Sequence, residues 1–581
     1  MVVTAAAERG ESATGVFRRL GLEGAKEPTE ALLSVSVPHT ELQAPCPLHE
    51  SVEWQLSELY WQDAGLLPFV ENSVPYLVNN SGRLSENTAV LLFENLSENP
   101  PAGGPITVVE LGAGSGLFAK LFLDAFRTIC QDNSRDFYDR LTYVVSDHSQ
   151  RTVGDWRERK IFDSHGARVV AARIDARDPT TAWLADGSKT RIERPRAVLC
   201  NYVLDVLPTT VWRKSASGPE ELLLGTRLTA SAAQLALLTP LGLPEIRERI
   251  AVGGEQLRPL LPVLPLLELD VRFASARPLP KWGDDALELL ATQAEGDRVA
   301  VSFGAFDCLE ALFERLDSAG FILINDYGTV GTSDSLRHAS PQRFGRTVAV
   351  GLSFPLLERS VTRRGRKIAA PTGDDERGVH TRLLSNQDLP RTRAALEARF
   401  SRAVEIMIEA PVLAAREHSA AGRQSEALDT YRAALERSPK DWHLLGEIAE
   451  FVGLTVHDFQ SGVQIVQGAL ELNPWTSAWL WNVLGDCLYY LERQNDAHQA
   501  FLQAQLIDPT DVRTNLNLAH TFVNLGQPDE ALLAIARGLN HDGGAYQSRL
   551  RERQEQILAS IASGRAQIQE SVLRRLERLS G

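Results

Sequence analysis

Residues able to do chemistry gather behind one glycine turn. Residues 106–117, ITVVELGAGSGL, place Glu110 and then Gly112, Gly114 and Gly116 between an apolar run and a helical pattern. Strand, tight turn and helix in that order present backbone at a strand's carboxyl end, where a doubly wound sheet holds a nucleotide-like ligand. Glycines let such a ligand approach the backbone around Ala113. Asp147 and Asp175 end the next two expected strands, with His148 and Ala176 beside them. An acid at the second strand end can accept from both hydroxyls of a ribose, and one at the third can take an exocyclic amine. Asn201, Tyr202 and Asp205 follow a further strand, and Asp326 and Tyr327 another. Asn201 and Asp205 would position an attacking group, Asp205 also polarising or deprotonating it. Asn201 belongs to the ligand's site as well. Tyr202 offers a ring to a cationic or planar group, and Tyr202, Asp326 and Tyr327 would line the substrate pocket. Tyr76, Asn79 and Asn80 are expected to close it from the N-terminal side, a plain structural loop being the other reading.

These residues need a sheet to hold them. Strands are expected at 106–109, 141–146, 167–174, 196–200 and 321–325, with helices between several of them, notably 305–318. That alternation indicates a mainly parallel α/β sheet covered by helices, a Rossmann-like arrangement whose binding edge is the carboxyl end of its strands. Upstream, 52–61 and 84–96 read as helices, and residues 1–50 as a loose arm with a short helix at 15–22. Residues 217–277 interrupt the alternation and read as an inserted cap of short strands and a helix; 345–352 and 378–384 look like further strands. The basic run Arg359, Arg363, Arg364, Arg366 and Lys367 reads as a solvated hairpin tip, or else as a patch for an acidic substrate. The α/β domain is expected over 51–404.

From about residue 404 strands vanish. Pro439, Pro474 and Pro509 recur every 35 residues, and Trp481, Leu484, Gly485, Leu488, Ala497, Phe501, Ala504 and Pro509 fill the positions of a tetratricopeptide helix-turn-helix repeat. Four such units are expected over 405–546, closed by a charged capping helix over 547–581. Small residues at Gly485, Ala497 and Ala519 let paired helices touch. Such a solenoid would bind a protein or peptide.

Composition bounds the rest. The 581 residues carry a net charge of −15, which argues against nonspecific binding to nucleic acid or an anionic membrane. No 18-residue apolar run and no secretory layout is present, so neither a membrane span nor export is expected. The five cysteines form no CxxC pair, so a disulfide framework and a structural zinc are not expected and a reducing cytoplasm fits. Oligomeric state stays open, a homodimer included.

The glycine spacing decides the ligand. A dinucleotide turn wants G-x-G-x-x-G; here position 117 is Leu and the third glycine comes one residue early, at Gly116. The spacing E-x-G-x-G-x-G resembles the first motif of class I S-adenosylmethionine-dependent methyltransferases. Residues 200–208, CNYVLDVLP, resemble the N-E-x-x-D-x-L-P segment of the MidA-like methyltransferase family, and residues 324–328, INDYG, its I-D-Y-G strand end. The resemblance runs over roughly 51–410. It implies a class I methyltransferase fold, S-adenosyl-L-methionine as cofactor and methylation of a protein, arginine included. The chain departs at Tyr202, where the family has Glu. A carboxylate there could grip a guanidinium through two hydrogen bonds; tyrosine cannot. A protein or peptide methyltransferase is therefore the leading expectation. A noncatalytic assembly or adaptor protein, and a small-molecule methyltransferase of a biosynthetic pathway, stay open beside it.

Overall fold

The expected strand at 106–109 runs on to 111, and five of its six residues are buried, as in a sheet covered on both faces. The computed structural model describes residues 39–71, 82–331, 339–374, 378–401, 404–542 and 544–580. The chain divides into two compact units, one over Val37–Pro439 and one holding Lys440–Gly581.

In the first unit, nine strands among the described residues form the main sheet. In chain order they are β1 (Ile106–Leu111), β2 (Leu141–Asp147), β3 (Val169–Arg173), β4 (Thr181–Trp183), β5 (Lys189–Arg191), β6 (Ala197–Asn201), β7 (Phe321–Asp326), β8 (Lys367–Ala369) and β9 (His380–Ser385). Across the sheet they run β8-β9-β7-β6-β1-β2-β3-β4-β5. The five central strands from β7 to β3 are parallel, and both flanks are antiparallel. The chain winds outward from β1 through β2 to β3, makes the hairpin of β4 and β5, and crosses back to β6 on the far side of β1. A crevice therefore opens between the ends of β1 and β6, the topological switch point of an open parallel sheet.

Expected strand ends hold, with small shifts. Residues 163–168, partly assigned to a strand, form a 3-10 turn before β3. The helix expected at 305–318 is Phe303–Arg315, and that at 84–96 is Arg83–Glu98. The short helix expected at 15–22 lies outside the described residues.

The interruption is larger than its composition suggested. Residues 210–301 enter between β6 and β7 and build an antiparallel sheet from Thr210–Ser215, Gly218–Thr229, Leu267–Ser275 and Arg298–Val301. Its fifth strand is His39–Pro47, from the stretch expected to be a loose arm, paired from His39 opposite Thr229 to Pro47 opposite Leu223. Two prolines and two register shifts hid that strand. Leu42 anchors it in a core with Val52, Leu56 and Leu59 of the following helix and Leu228, Ile246, Leu257 and Leu260 of the insertion.

The expected strand at 345–352 is instead a hairpin, Gln342–Phe344 with Thr347–Ala349, followed by the short strand Leu352–Ser353. The basic run is neither a hairpin tip nor a free patch. Arg359 and Arg363 lie on the helix Phe354–Arg363. With Arg364 they pair with Asp285 and Glu288 of the helix Gly283–Thr292.

In the second unit the described residues form helices only, paired Trp442–Glu450 with Phe459–Leu472, Ala478–Tyr490 with Gln494–Ile507, and Val512–Asn524 with Pro528–His541, then the long Gln547–Ser580. The helix pair of the first expected repeat, Val404–Ala420 and Gln424–Arg437, falls in the first unit. The loosest repeat carries a π-helical stretch, Phe451–Thr455, an insertion that stretches its pattern. Gly485 does what its spacing predicted: a Cβ there would stand 2.3 Å from the Phe501 ring. Gly485→Val should therefore cost about 1–3 kcal/mol of stability, read by urea unfolding of the full chain, with ligand binding in the first unit unchanged. Among the described residues no helix is long and apolar enough to cross a membrane.

Candidate active site

The switch-point crevice is lined from both sides of the sheet's carboxyl edge. Gly112, Ala113, Gly114, Asp147, His148, Asp175 and Ala176 come from the ends of β1, β2 and β3. Asn201, Tyr202, Asp205 and Tyr327 come from the ends of β6 and β7. The strand ends thus bring together most of the residues singled out in the sequence.

The turn is built for glycine. Gly112, Gly114 and Gly116 have φ of 62°, 53° and 76°, a region that residues with a Cβ avoid. A Cβ on Gly112 would lie 3.0 Å from Val203, and one on Gly114 2.4 Å from Phe69. The Gly114 N–H donates to Asp147 Oδ2 (3.0 Å) and the Trp156 indole donates to the Gly114 carbonyl (3.0 Å). Ser149 N–H donates to the other Asp147 oxygen (2.9 Å), so Asp147 is locked beside the turn. Burial raises its carboxyl above the ordinary range, against the hydrogen bonds from Ser149 and Gly114.

Three expected site residues are not on the wall. Gly116 caps the helix Leu117–Asp132 and packs against Trp156 and Phe162. Glu110 is 1% exposed and accepts from the Tyr143 hydroxyl at 2.8 Å. Burial, opposed by the hydrogen bond from Tyr143, pushes its carboxyl up to about 8. The folded state then holds the proton where the unfolded chain releases it, so this contribution to stability is lost as pH rises from about 4.5 through about 8. Glu110→Gln should flatten the fall in melting temperature between pH 5 and 8. Asp326 is fully buried beneath the crevice and accepts from the backbone N–H groups of Leu204 (3.0 Å) and Tyr327 (2.9 Å). It holds the loop that carries Asp205 instead of lining the pocket. Tyr76, Asn79 and Asn80 lie outside the described residues.

Asp205 is 6% exposed, and among the described residues its buried Oδ1 has no hydrogen-bond partner. Burial pushes its carboxyl up to about 7. Burial and the charge of Asp205 raise Asp326 too, since two neighbouring buried carboxyls do not both ionise readily. Asn201 Oδ1 accepts from Asn325 Nδ2 (2.8 Å), and Asn325 accepts in turn from Thr381, which fixes the amide's orientation. Tyr202 sits at φ 54°, a strained value for a side chain of its size, and stacks on Tyr327 with ring centroids 5.1 Å apart and planes 27° from parallel.

Other wall residues went unnoticed in the sequence. The helix Val52–Ala64, started by Ser51 accepting from Trp54 N–H, carries Trp54, Ser57, Glu58 and Trp61 on one stripe facing the crevice. Phe69 covers Gly114. Arg177, two residues after Asp175, and Phe344 and Thr347 of the hairpin complete the wall. The stripe of aromatics at 54 and 61 was the available signal. Arg177 and the hairpin gave none, because only the fold brings them there. Among the described residues no group of His, Cys, Asp and Glu is arranged to hold a metal.

Residues 88–350 match a family model described as "Putative S-adenosyl-L-methionine-dependent methyltransferase". The chain is similar to a Burkholderia thailandensis protein described as a "likely methyl transferase" and solved bound to S-adenosyl-homocysteine. Identity is 14%, with 57% of this chain and 75% of that one covered, at a TM-score of 0.36. It is also similar to MamA, at 13% identity over 27% of this chain and 89% of that one, with a TM-score of 0.23. The BBSome complex member BBS4 of Xenopus tropicalis is 31% identical over 106 residues, 18% of this chain. The chain spans about a fifth of that curated relative. Both segments 200–208 and 324–328 fall inside the matched region.

Proposed function

We propose that the chain binds S-adenosyl-L-methionine at the switch point and transfers its methyl to a nitrogen or oxygen of a protein or peptide. One observation carries this reading: the glycine turn, Asp147 and Asp175 line the same crevice as Asn201, Tyr202 and Asp205. Groups suited to a donor and groups suited to an acceptor therefore share one space. The residues fit this cofactor class. The turn keeps its backbone free of side chains, and acids stand where a ribose and an adenine amine would need acceptors. Gly112, Gly114, Asp147, His148, Asp175 and Ala176 would hold it, Phe69 and Trp61 shielding it from water.

When bound, the cofactor supplies a methyl on a sulfonium, which a nucleophile displaces in line. The chain's own task is alignment, worth several kcal/mol when the geometry is near that of attack. Asn201, held by Asn325, would orient the acceptor. Asp205 would take its proton at Oδ1, the oxygen that has no hydrogen-bond partner among the described residues. A carboxyl raised to about 7 suits a base working near neutral pH. The stacked pair Tyr202–Tyr327 gives a flat aromatic face to a planar or cationic acceptor. The helical repeats would recruit the protein that carries it, so that substrate choice rests on binding outside the crevice.

Cell lysate incubated with methyl-labelled cofactor and the full chain should show label in a protein band. Label confined to low-mass material would overturn the protein substrate while leaving the cofactor reading standing.

A further inference from the structure

Arg177 makes an arrangement that none of the roles above uses. Its backbone N–H donates to Asp175 Oδ1 at 2.9 Å. Its Nε lies 3.1 Å from Oδ1 and 3.2 Å from Oδ2, and its Nη2 donates to Oδ2 at 2.8 Å. Nη1 reaches Glu58 Oε1, 2.6 Å away on the helix Val52–Ala64. Both Arg177 and Asp175 line the crevice, and so does Glu58. On the other side His148 Nδ1 stands 3.8 Å from Asp175 Oδ2.

An ionised carboxylate offers about four acceptor positions. Three N–H groups of Arg177, one of them shared between the two oxygens, fill roughly three. One is left for a donor from the crevice. The fork also fixes the plane of the carboxylate, because a guanidinium gripping both oxygens allows little rotation. A carboxylate held this way favours a ligand with an N–H at that point. It opposes one with a carbonyl oxygen there, which would bring two acceptors together.

We infer that Arg177 is a positioning residue that restricts Asp175 to one acceptor direction and so makes the crevice select an amino-bearing purine over its oxo counterpart. This rests on the reading of the crevice as a nucleoside-bearing cofactor site. The burial of Asp175 works against its ionisation, but the hydrogen bonds and charge of Arg177 outweigh it and hold the carboxyl below its ordinary range, consistent with the clamp.

The test is calorimetric binding of S-adenosyl-homocysteine and S-inosyl-homocysteine to the full chain, which needs no methyl acceptor. The wild type should prefer the adenine compound by about tenfold or more. Arg177→Met should bring the preference to within about threefold and Arg177→Lys to an intermediate value, a point charge being unable to grip both oxygens. Glu58→Gln loses only the outer link and should keep the preference, which separates tethering of the helix from orientation of Asp175. A preference unchanged in Arg177→Met, or lost equally in Glu58→Gln, overturns the inference. A wild type that binds neither compound overturns the cofactor reading itself. Should Arg177→Met fail to fold, Arg177→Lys alone decides, an unchanged preference again being the contrary result.

Discussion

Asp205→Asn should lower turnover by about 10²–10⁴-fold, the usual weight of a general base, while cofactor affinity stays within about twofold. Asp205 is 6% exposed, it follows β6 on the wall of the crevice, and among the described residues its buried Oδ1 has no hydrogen-bond partner. An amide at that position keeps the shape and the hydrogen-bonding size but cannot take a proton. The pH profile gives a second reading of the same group. Its carboxyl is pushed up to about 7 by burial, and only the ionised form can act as base. Activity in the wild type should therefore rise with pH through about 7 and level off above it. In Asp205→Asn that limb should vanish. Because Asp326 lies beneath and is coupled to Asp205 by charge, the limb reports the pair. Equal losses of turnover and cofactor affinity would move Asp205 into the cofactor's site.

Gly114→Ala should abolish measurable cofactor binding without unfolding the chain. Two effects add. At φ 53° a Cβ meets its own backbone, a strain of roughly 1–2 kcal/mol. It would also stand 2.4 Å from the Phe69 ring, which must swing away and open the crevice where it now covers the turn. Relief of the clash also disturbs the Gly114 N–H that holds Asp147. Far-UV circular dichroism should stay like that of the wild type while calorimetric heats disappear. Gly468→Ala, on the helix Phe459–Leu472 with no positive φ and nothing within 4 Å of its Cβ, is the control and should bind normally.

The strand ends were legible because the parallel strands are buried on both faces and then meet polar residues abruptly. Apolar runs ending in Asp147 or Asn201 therefore mark both the elements and the edge where the crevice opens. The repeats were legible for a similar reason: Gly485 and Phe501 meet across a helix pair, and that contact imposes a fixed spacing. Glu110 shows the limit. Its position beside the glycines suggested a ligand, yet it shares a strand face with Val108, both almost fully buried, and its carboxyl bonds Tyr143. A strand's alternation places the side chain on one face or the other, but not at the crevice. Asp326 shows the same limit: a strand-end acid can serve the backbone of the next loop. What stayed hidden was long-range. Glu58 looks like surface charge until β3 brings Arg177 to it, and the strand His39–Pro47 has no partner in sequence for some 170 residues.

The switch-point crevice is the proposed site for S-adenosyl-L-methionine. Isothermal titration calorimetry of the intact chain with S-adenosyl-L-methionine and with S-adenosyl-homocysteine tests it most directly. Saturable binding of both at one site per chain, lost in Gly114→Ala and retained in Asp205→Asn, is the predicted result. No heat from either ligand, or binding that survives Gly114→Ala unchanged, would contradict it.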